Sequence, residues 1–490
     1  MDTQTLAIPV QDEREDRSHL TDSRPFRWDV EAATPKARAA LDALMARLEA
    51  WEPPRQRRRR TADRERLRAI LEAITLELWL YRCEVPTHWL AYPRGGAGYE
   101  GPGRYRHPLA TQEAVRATAG FLVAIGFAED RLGSYRRVDH GFGTSARGYL
   151  SRLRGTDDLL AWATLFELTT DDVSTNARIE LIRLKGTPAA PGGRKPLIDY
   201  ADTPETTSMR AHLMAWIGVM EAHEVSLPGA VGRVPEPTDV RLGAPVLEDA
   251  DERPRAATSG PCKLYRVFND GRWDRGGRFY GGWWMALPKR DRERLLIDGE
   301  ETVELDFASL HPRLCYQLNG RPLDQAYDAY DLPEVPREHR DIVKVAFMQL
   351  LNARPGQVQI RPPAGAVKTL GRGLSYQRLV RALQAKHVGI SNWFFQGPKS
   401  LELQAVDAAI AEAVMGYFTA VQKPVLPVHD SFIVKRTDQY KLAETMALAY
   451  RAQLTGRGIE RPVLPTIRGW VDDDAEARFD AFAARRGDED

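Results

Sequence analysis

The chain is poor in several things that usually announce a function. Its 490 residues include 3 cysteines, Cys83, Cys262 and Cys315, which are far apart and form no CxxC pair. Disulfide frameworks and zinc ribbons are therefore not expected, and a reducing cytoplasm is the natural setting. No apolar run approaches the ~18 residues a membrane span needs. The start, MDTQTLAIPVQDERED, lacks the basic-then-apolar order of a secretory signal. A net charge of +1 shows no overall excess of either sign. P-loop, HExxH and GxSxG patterns are missing, as is any internal repeat, so most common enzyme classes lack support. Apolar content is not in short supply: at 43% it is ample for packed cores and excludes a wholly disordered chain. At ~150 residues per domain the length points to roughly three domains.

The near-zero net charge hides strong segregation. Arg55–Arg66 holds seven arginines against Asp63 and Glu65, and Arg131–Arg154 holds six against Asp139 alone. Residues 353–401 carry eight basic residues (Arg354, Arg361, Lys368, Arg372, Arg378, Arg381, Lys386 and Lys399) and no acid. One basic run is usually a solvated face. Three of them, interleaved with glycine and aromatic residues, point to a polyanion and best to nucleic acid.

Composition and periodicity divide the chain into four parts. Residues 1–60 are polar, end in WEPPRQRRRR, and read as a flexible arm with a basic linker. Residues 61–175 read as a mostly helical domain, with apolar spacing over Arg64–Cys83 and a second helix that Thr111 can cap and Gly126 can stop. Helix, helix, then a basic hairpin-like segment is the order of a winged helix; a small helical domain with an Arg-rich loop is the alternative. Residues 176–260 read as a connecting, thumb-like region ending in a Pro- and acid-rich linker. Residues 261–490 hold the chemistry.

Four short segments there stand in a fixed order. Asp274-Arg-Gly-Gly-Arg278-Phe-Tyr280 has glycines that permit close approach, with cations and aromatics that can grip phosphate and stack on bases; the alternative is a glycine turn packed by Trp283 and Trp284. In Thr302–Phe307, Val303, Leu305 and Phe307 alternate with Glu304 and Asp306, the period of a half-buried strand, and Pro312 is expected to interrupt the segment after it. Arg340–Ala353 reads as a helix with Arg340, Lys344 and Met348 along one side. Val425–Val434 reads as a tight hairpin with His429, Asp430 and Ser431 at its tip. A carboxylate in such a place is costly unless it meets a cation or a donor. Taken together the four supply what phosphoryl transfer to a hydroxyl requires: carboxylates for two divalent ions ~3.5–4 Å apart, and cations for a triphosphate.

These segments resemble those of the family A DNA polymerases and the single-subunit, phage-type RNA polymerases. Asp274-Arg-Gly-Gly-Arg278 looks like the DxxGR segment, and DFASLHPRLC is similar to motif A of the DNA branch. Arg340-x3-Lys344-x7-Asn352 resembles motif B, with Asn352-Ala353 where the family has Tyr-Gly, and VHDSF resembles motif C. The resemblance covers about Tyr265–Val434. It implies an α+β polymerase palm, an antiparallel sheet with helices and reduced fingers, following the winged-helix-like domain. It implies Asp306, Asp430 and Lys344 as catalytic, and Asp306, Phe307 and Asp430 as the metal set for two Mg²⁺, for which Mn²⁺ can substitute. Arg340, Lys344, Met348, His311 and Asn352 would meet the nucleotide. Asp274, Arg278, Tyr280, Arg313 and His429 would meet the nucleic acid. The implied partners are a DNA template, a primer or transcript and nucleoside triphosphates, with no membrane. The implied activity is DNA-dependent DNA synthesis, with RNA polymerase or primase on the same palm as the first alternative. A catalytically inert DNA-binding replication protein is the second. His311, five residues after the motif A aspartate, stands where sugar choice is usually set. Arginine-rich, alanine-rich composition suggests a bacterial origin, and a compact polymerase with its own DNA-binding arm would suit a phage or other mobile element.

Overall fold

The computed structural model describes residues 23–228 and 262–488, apart from 55–56, 58, 100, 106–108, 134, 140–143, 149, 176–179, 190–192, 194, 364–365, 367–369 and 371–373. The architecture is α+β with mainly antiparallel sheets, in two compact units: residues up to 100 with 106–178, and residues 101–105 with 179 onwards.

The first unit runs β1 (Ser23–Pro25), β2 (Val30–Ala32), α1 (Pro35–Trp51), α2 (Thr61–Glu84), β3 (Trp89–Tyr92), α3 (Gln112–Ala124), β4 (Ala128–Arg131), β5 (Tyr135–Asp139), β6 (Thr144–Gly148), β7 (Ser151–Gly155), α4 (Asp157–Leu165) and β8 (Val173–Thr175). Helix α1 corrects the expectation of a flexible arm through residue 60. Thr34 caps it by accepting from the Ala37 amide, Pro35 opens it, and Ala37, Leu41, Leu44 and Leu48 recur at helical spacing on its buried side. Residues 1–22 of the expected arm lie outside the described residues. Thr111 caps α3, and Gly126 at φ +79° closes it with a Phe127 amide bond to the Leu122 carbonyl. The sheet order is β1-β3-β7-β4, and beyond β4 and β7 strands β5 and β6 pair antiparallel. The described residues of the basic Arg131–Arg154 stretch are therefore largely in paired strands rather than loop.

The second unit runs β9 (Ile182–Leu184), α5 (Pro204–Glu221), β10 (Val225–Ser226), β11 (Tyr265–Asn269), β12 (Arg272–Tyr280), α6 (Lys289–Arg292), β13 (Leu296–Ile297), β14 (Glu300–Phe307), α7 (Leu310–Leu318), α8 (Arg340–Asn352), α9 (Tyr376–Lys386), α10 (Lys399–Ala420), β15 (Leu426–Val428), β16 (Ser431–Lys435), α11 (Gln439–Thr455), β17 (Ile467–Arg468) and α12 (Asp473–Asp488). Its main sheet has the order β10-β13-β14-β16-β15, with β17 paired to β14. The expected separate connecting region is corrected too. Ile182, Leu213, Trp216 and Met220 share one apolar core with Val303, Leu305 and Phe432. The linker expected at 234–260 lies outside the described residues. Pro312 does not interrupt α7. It sits in the first turn, where its missing N–H breaks no intrahelical bond.

Two tryptophans fix the hairpin β15–β16. The Trp216 indole donates to the Val425 carbonyl and the Trp284 indole to the Pro427 carbonyl, each at 3.0 Å, and the two rings pack 6.3 Å apart. Trp284 is thus a core residue that holds one strand of the candidate site.

Candidate functional site

Strand β14 buries Val303, Leu305 and Phe307 on one face and turns Glu304 and Asp306 to the other. Its partner β16 is in register from Thr302↔Lys435 to Asp306↔Ser431, so Asp430 comes directly beyond the residue opposite Asp306. Asp430 and His429 form the two-residue turn between Val428 and Ser431, with His429 at φ +61°. That conformation is normally left to glycine and costs about 1–3 kcal/mol in other residues. The His429 ring packs against Tyr280 at 5.7 Å, and burial pushes its pKa down to about 3. It is therefore a neutral imidazole, with Nδ1 buried and unbonded among the described residues. Ser309, three residues past Asp306, is also left-handed at φ +54°. Two strained non-glycine positions thus flank the two aspartates.

Both carboxylates are half-buried, and both hold their protons more tightly than usual. For Asp306 burial is the main cause and the Asp430 charge the next; for Asp430 it is burial, partly offset by Arg278. Nearby acids are neutralised by their own arginines. Arg292 forks onto Glu304 at 2.8 Å through both nitrogens, and the Ser431 hydroxyl donates to Glu304 at 2.7 Å. Arg340 forks onto Asp328 at 2.9 and 3.1 Å. Among the described residues, neither Asp306 nor Asp430 has such an ion-pair partner.

Arg340 ties α8 to this edge of the sheet. Its guanidinium donates to the Ser309 hydroxyl at 3.4 Å and lies over the Tyr330 ring at 5.0 Å. Burial and the Asp430 charge raise the pKa of Tyr330. Lys344 is exposed one turn on, 3.7 Å from Asp341. Met348 and Asn352 line a cleft of ≈ 580 Å³ with Gln349, Gln357 and Arg361. Asn352 accepts from the Ser400 hydroxyl.

The structure disperses the other sequence candidates. Asp274 is exposed and paired to Arg272. Gly276 and Gly277, at φ +79° and +85°, bulge β12 so that Arg278 turns inward. Its Nε lies 3.0 Å from Asp407 on α10, and the Nε2 of His311 lies 2.7 Å from the same carboxylate. All three side chains are buried. Burial alone would raise the pKa of Asp407; Arg278 and His311 outweigh it and hold it below the carboxylate range. Arg313 is also buried, and it donates to the carbonyls of Asp324, Gln325 and Tyr327. Tyr280 is a core residue stacked on Tyr265. The Phe307 ring is buried against Tyr450, which leaves only its carbonyl as a possible ligand.

Asp407, Glu304, Tyr330 and Arg468 escaped the sequence reading. The one available signal for Asp407 was an acid flanked by apolar residues midway between Glu402 and Glu412 in a helical run. Arg468 lies opposite Asp306 on the edge of β14 away from β16. Gly469 permits that approach: a Cβ there would fall 2.0 Å from the Glu304 carbonyl oxygen. Gly469→Ala is expected to cost about 3 kcal/mol or more, and Gly458→Ala, with open space around it at φ +84°, about 1 kcal/mol. Thermal melts of the two variants check this.

Hard carboxylate oxygens suit Mg²⁺, which takes one or two carboxylates and fills its octahedron with water and substrate phosphate. Among the described residues no group of three or more His, Cys, Asp or Glu side chains is disposed to hold a metal ion. Two unpaired aspartates nevertheless fit an ion that is completed by its substrate. None of the described helices is long and apolar enough to cross a membrane. No family model, curated protein or solved structure matches the chain.

Proposed function

We propose that this protein is a template-directed nucleotidyltransferase of the polymerase-palm type, most simply a DNA-dependent DNA polymerase. One observation carries the reading: Asp306 and Asp430, unpaired and mutually repelling, meet at the end of a rigid strand and a tryptophan-anchored hairpin tip. Charge of that kind is costly and persists where a bound cation offsets it.

Asp306, Asp430 and the Phe307 carbonyl would hold Mg²⁺. When bound, the ions would stabilise the charge on the attacking and leaving oxygens as a 3′-hydroxyl displaces pyrophosphate from an α-phosphate. Arg340, oriented by Asp328 and Tyr330, supplies a fixed cation for the triphosphate, and Lys344 a mobile one placed to neutralise or protonate the pyrophosphate. His311 is clamped by Asp407, so the residue at the sugar-choice position cannot swing freely. The hairpin of the first unit, with Arg131 and Arg154 over Trp89, supports a duplex-gripping wing.

The test is Mg²⁺-dependent incorporation of labelled nucleotide on DNA and RNA templates, with dNTPs or NTPs, with and without a primer. Primed incorporation of dNTPs is expected. Unprimed incorporation of NTPs would make it an RNA polymerase or primase, and no incorporation with any set would end the proposal.

A further inference from the structure

Arg468 is placed as few surface arginines are. Antiparallel pairing sets it directly across from Asp306, on the same sheet face, and Gly469 locks that register through its contact with the Glu304 carbonyl. An arginine opposite an aspartate would ordinarily close an ion pair. Here it does not: among the described residues the Arg468 side chain forms no ion pair, and the guanidinium is exposed. Lys289, at the start of α6, is likewise exposed and without an ion-pair partner among the described residues. Its neighbour Arg292 is spent on Glu304, two residues before Asp306 on the same face. Both cations act on Asp306 through space, and Arg468 also on Asp328.

The arrangement is an open cation, Arg468, across one edge of an unpaired carboxylate, with Asp430 beyond the other edge and an exposed Lys289 acting on the same carboxylate through space. A carboxylate can leave its nearest cation unpaired when a third, anionic group is to sit between them. We infer that Arg468, on the side of Asp306 opposite Asp430, is a phosphate grip with Lys289 as an accessory charge, taking a phosphate oxyanion of the substrate bound at the carboxylate pair. The inference rests on the nucleotidyltransferase reading for what that substrate is, though not for the anion chemistry. Arginine suits the role because its fork matches two phosphate oxygens, and Lys289 adds a point charge. The phosphate has two available sources, the pyrophosphate portion of the nucleotide and the phosphodiester at the strand end.

The experiment measures binding, so it does not depend on turnover. Full-length wild type, Arg468→Ala, Arg468→Lys, Lys289→Ala and, as a control for lost surface charge, Arg337→Ala are titrated in Mg²⁺. One probe is inorganic pyrophosphate and the other a fluorescent primer–template duplex. Arg468→Ala is expected to weaken one probe by about tenfold, with Lys289→Ala weaker in effect and Arg337→Ala without effect. If the duplex is the probe affected, its log Kd against log salt slope should fall by about 0.7–0.9, the signature of one lost phosphate contact. Arg468→Lys should recover part of the loss, which a purely structural role would not require. Loss of pyrophosphate binding assigns the grip to the nucleotide, and loss of duplex binding assigns it to the strand. Unchanged binding of both probes by Arg468→Ala overturns the inference, as does failure of the wild type to bind either. Weakened binding in a protein that incorporates no nucleotide would leave the grip standing and remove the polymerase reading.

Discussion

Asp306→Asn and Asp430→Asn are each expected to raise the melting temperature while lowering Mg²⁺-dependent incorporation by about a thousandfold or more. On the nucleotidyltransferase reading, the second effect comes from losing a ligand to an ion whose charge stabilisation is worth several kcal/mol, at about 1.4 kcal/mol per factor of ten. The first comes from the sign of the pKa shifts. Both aspartates hold protons more tightly folded than unfolded: burial is the main cause at each, reinforced by the Asp430 charge at Asp306 and by the Asp407 charge at Asp430. The folded chain therefore binds more protons between the unfolded and folded pKa values. The stability gained by protonation is present at low pH and is lost as pH rises through the raised values. At neutral pH the charged pair opposes folding, and a neutral amide of the same shape relieves it. A shift of a few degrees upward corresponds to about 1 kcal/mol in a unit of this size. Mg²⁺ should raise the wild-type melting temperature by mass action and do less for either variant. Calorimetry with Mg²⁺ and with EDTA, beside incorporation assays, checks both parts. A pair that melted lower as amides and still extended strands would remove the carboxylates from the chemistry.

The parts of the site visible in sequence were those governed by local pattern. Period-two alternation over Val303–Phe307 predicted β14 and the face that carries Asp306, and the apolar flanks of His429-Asp430 predicted the hairpin. Helix α8 and the Thr111 cap were likewise readable from spacing alone. Reading failed where a residue's role depends on a distant partner. Arg278 beside glycines looks like a surface cation, yet a bulge turns it onto Asp407, 129 residues away in sequence. Arg313 has the sequence context of a ligand-binding arginine, and the structure gives its donors to carbonyls of the loop after α7. Asp407 looked like an unremarkable acid on a long helix, because nothing local says that its side of α10 is covered by β12 and α7. Helix α1 was missed for a different reason. Its stripe rests on alanines as much as leucines, so polar neighbours masked a regular 3.6-residue period.

That buried triad yields the largest expected loss of stability. Asp407→Leu leaves the Arg278 guanidinium enclosed without its counter-charge and is expected to cost about 3–5 kcal/mol. In a unit of this size that lowers the melting temperature by roughly 10 °C. Arg278→Met combined with Asp407→Leu should restore much of the loss, because the exchanged pair leaves no orphan charge. The pH signature is opposite to that of the Asp306 and Asp430 pair. The Asp407 carboxylate ionises more readily in the fold, so its contribution is present above its unfolded pKa and is lost as pH falls through the lowered one. The triad also reaches the hairpin tip, since the positive charge of Arg278 is the main influence that eases ionisation of Asp430. Removing it leaves Asp430 more firmly protonated. The double variant also removes the Asp407 charge, which opposes ionisation of Asp430 but is the smaller of the two influences, so the acid limb of the incorporation profile should still move to higher pH where the protein remains folded. A recovered melting temperature with an unmoved acid limb would make the triad a scaffold alone. A moved limb would mean that β12 and α10, although they present no group to the substrate, set the charge state of Asp430.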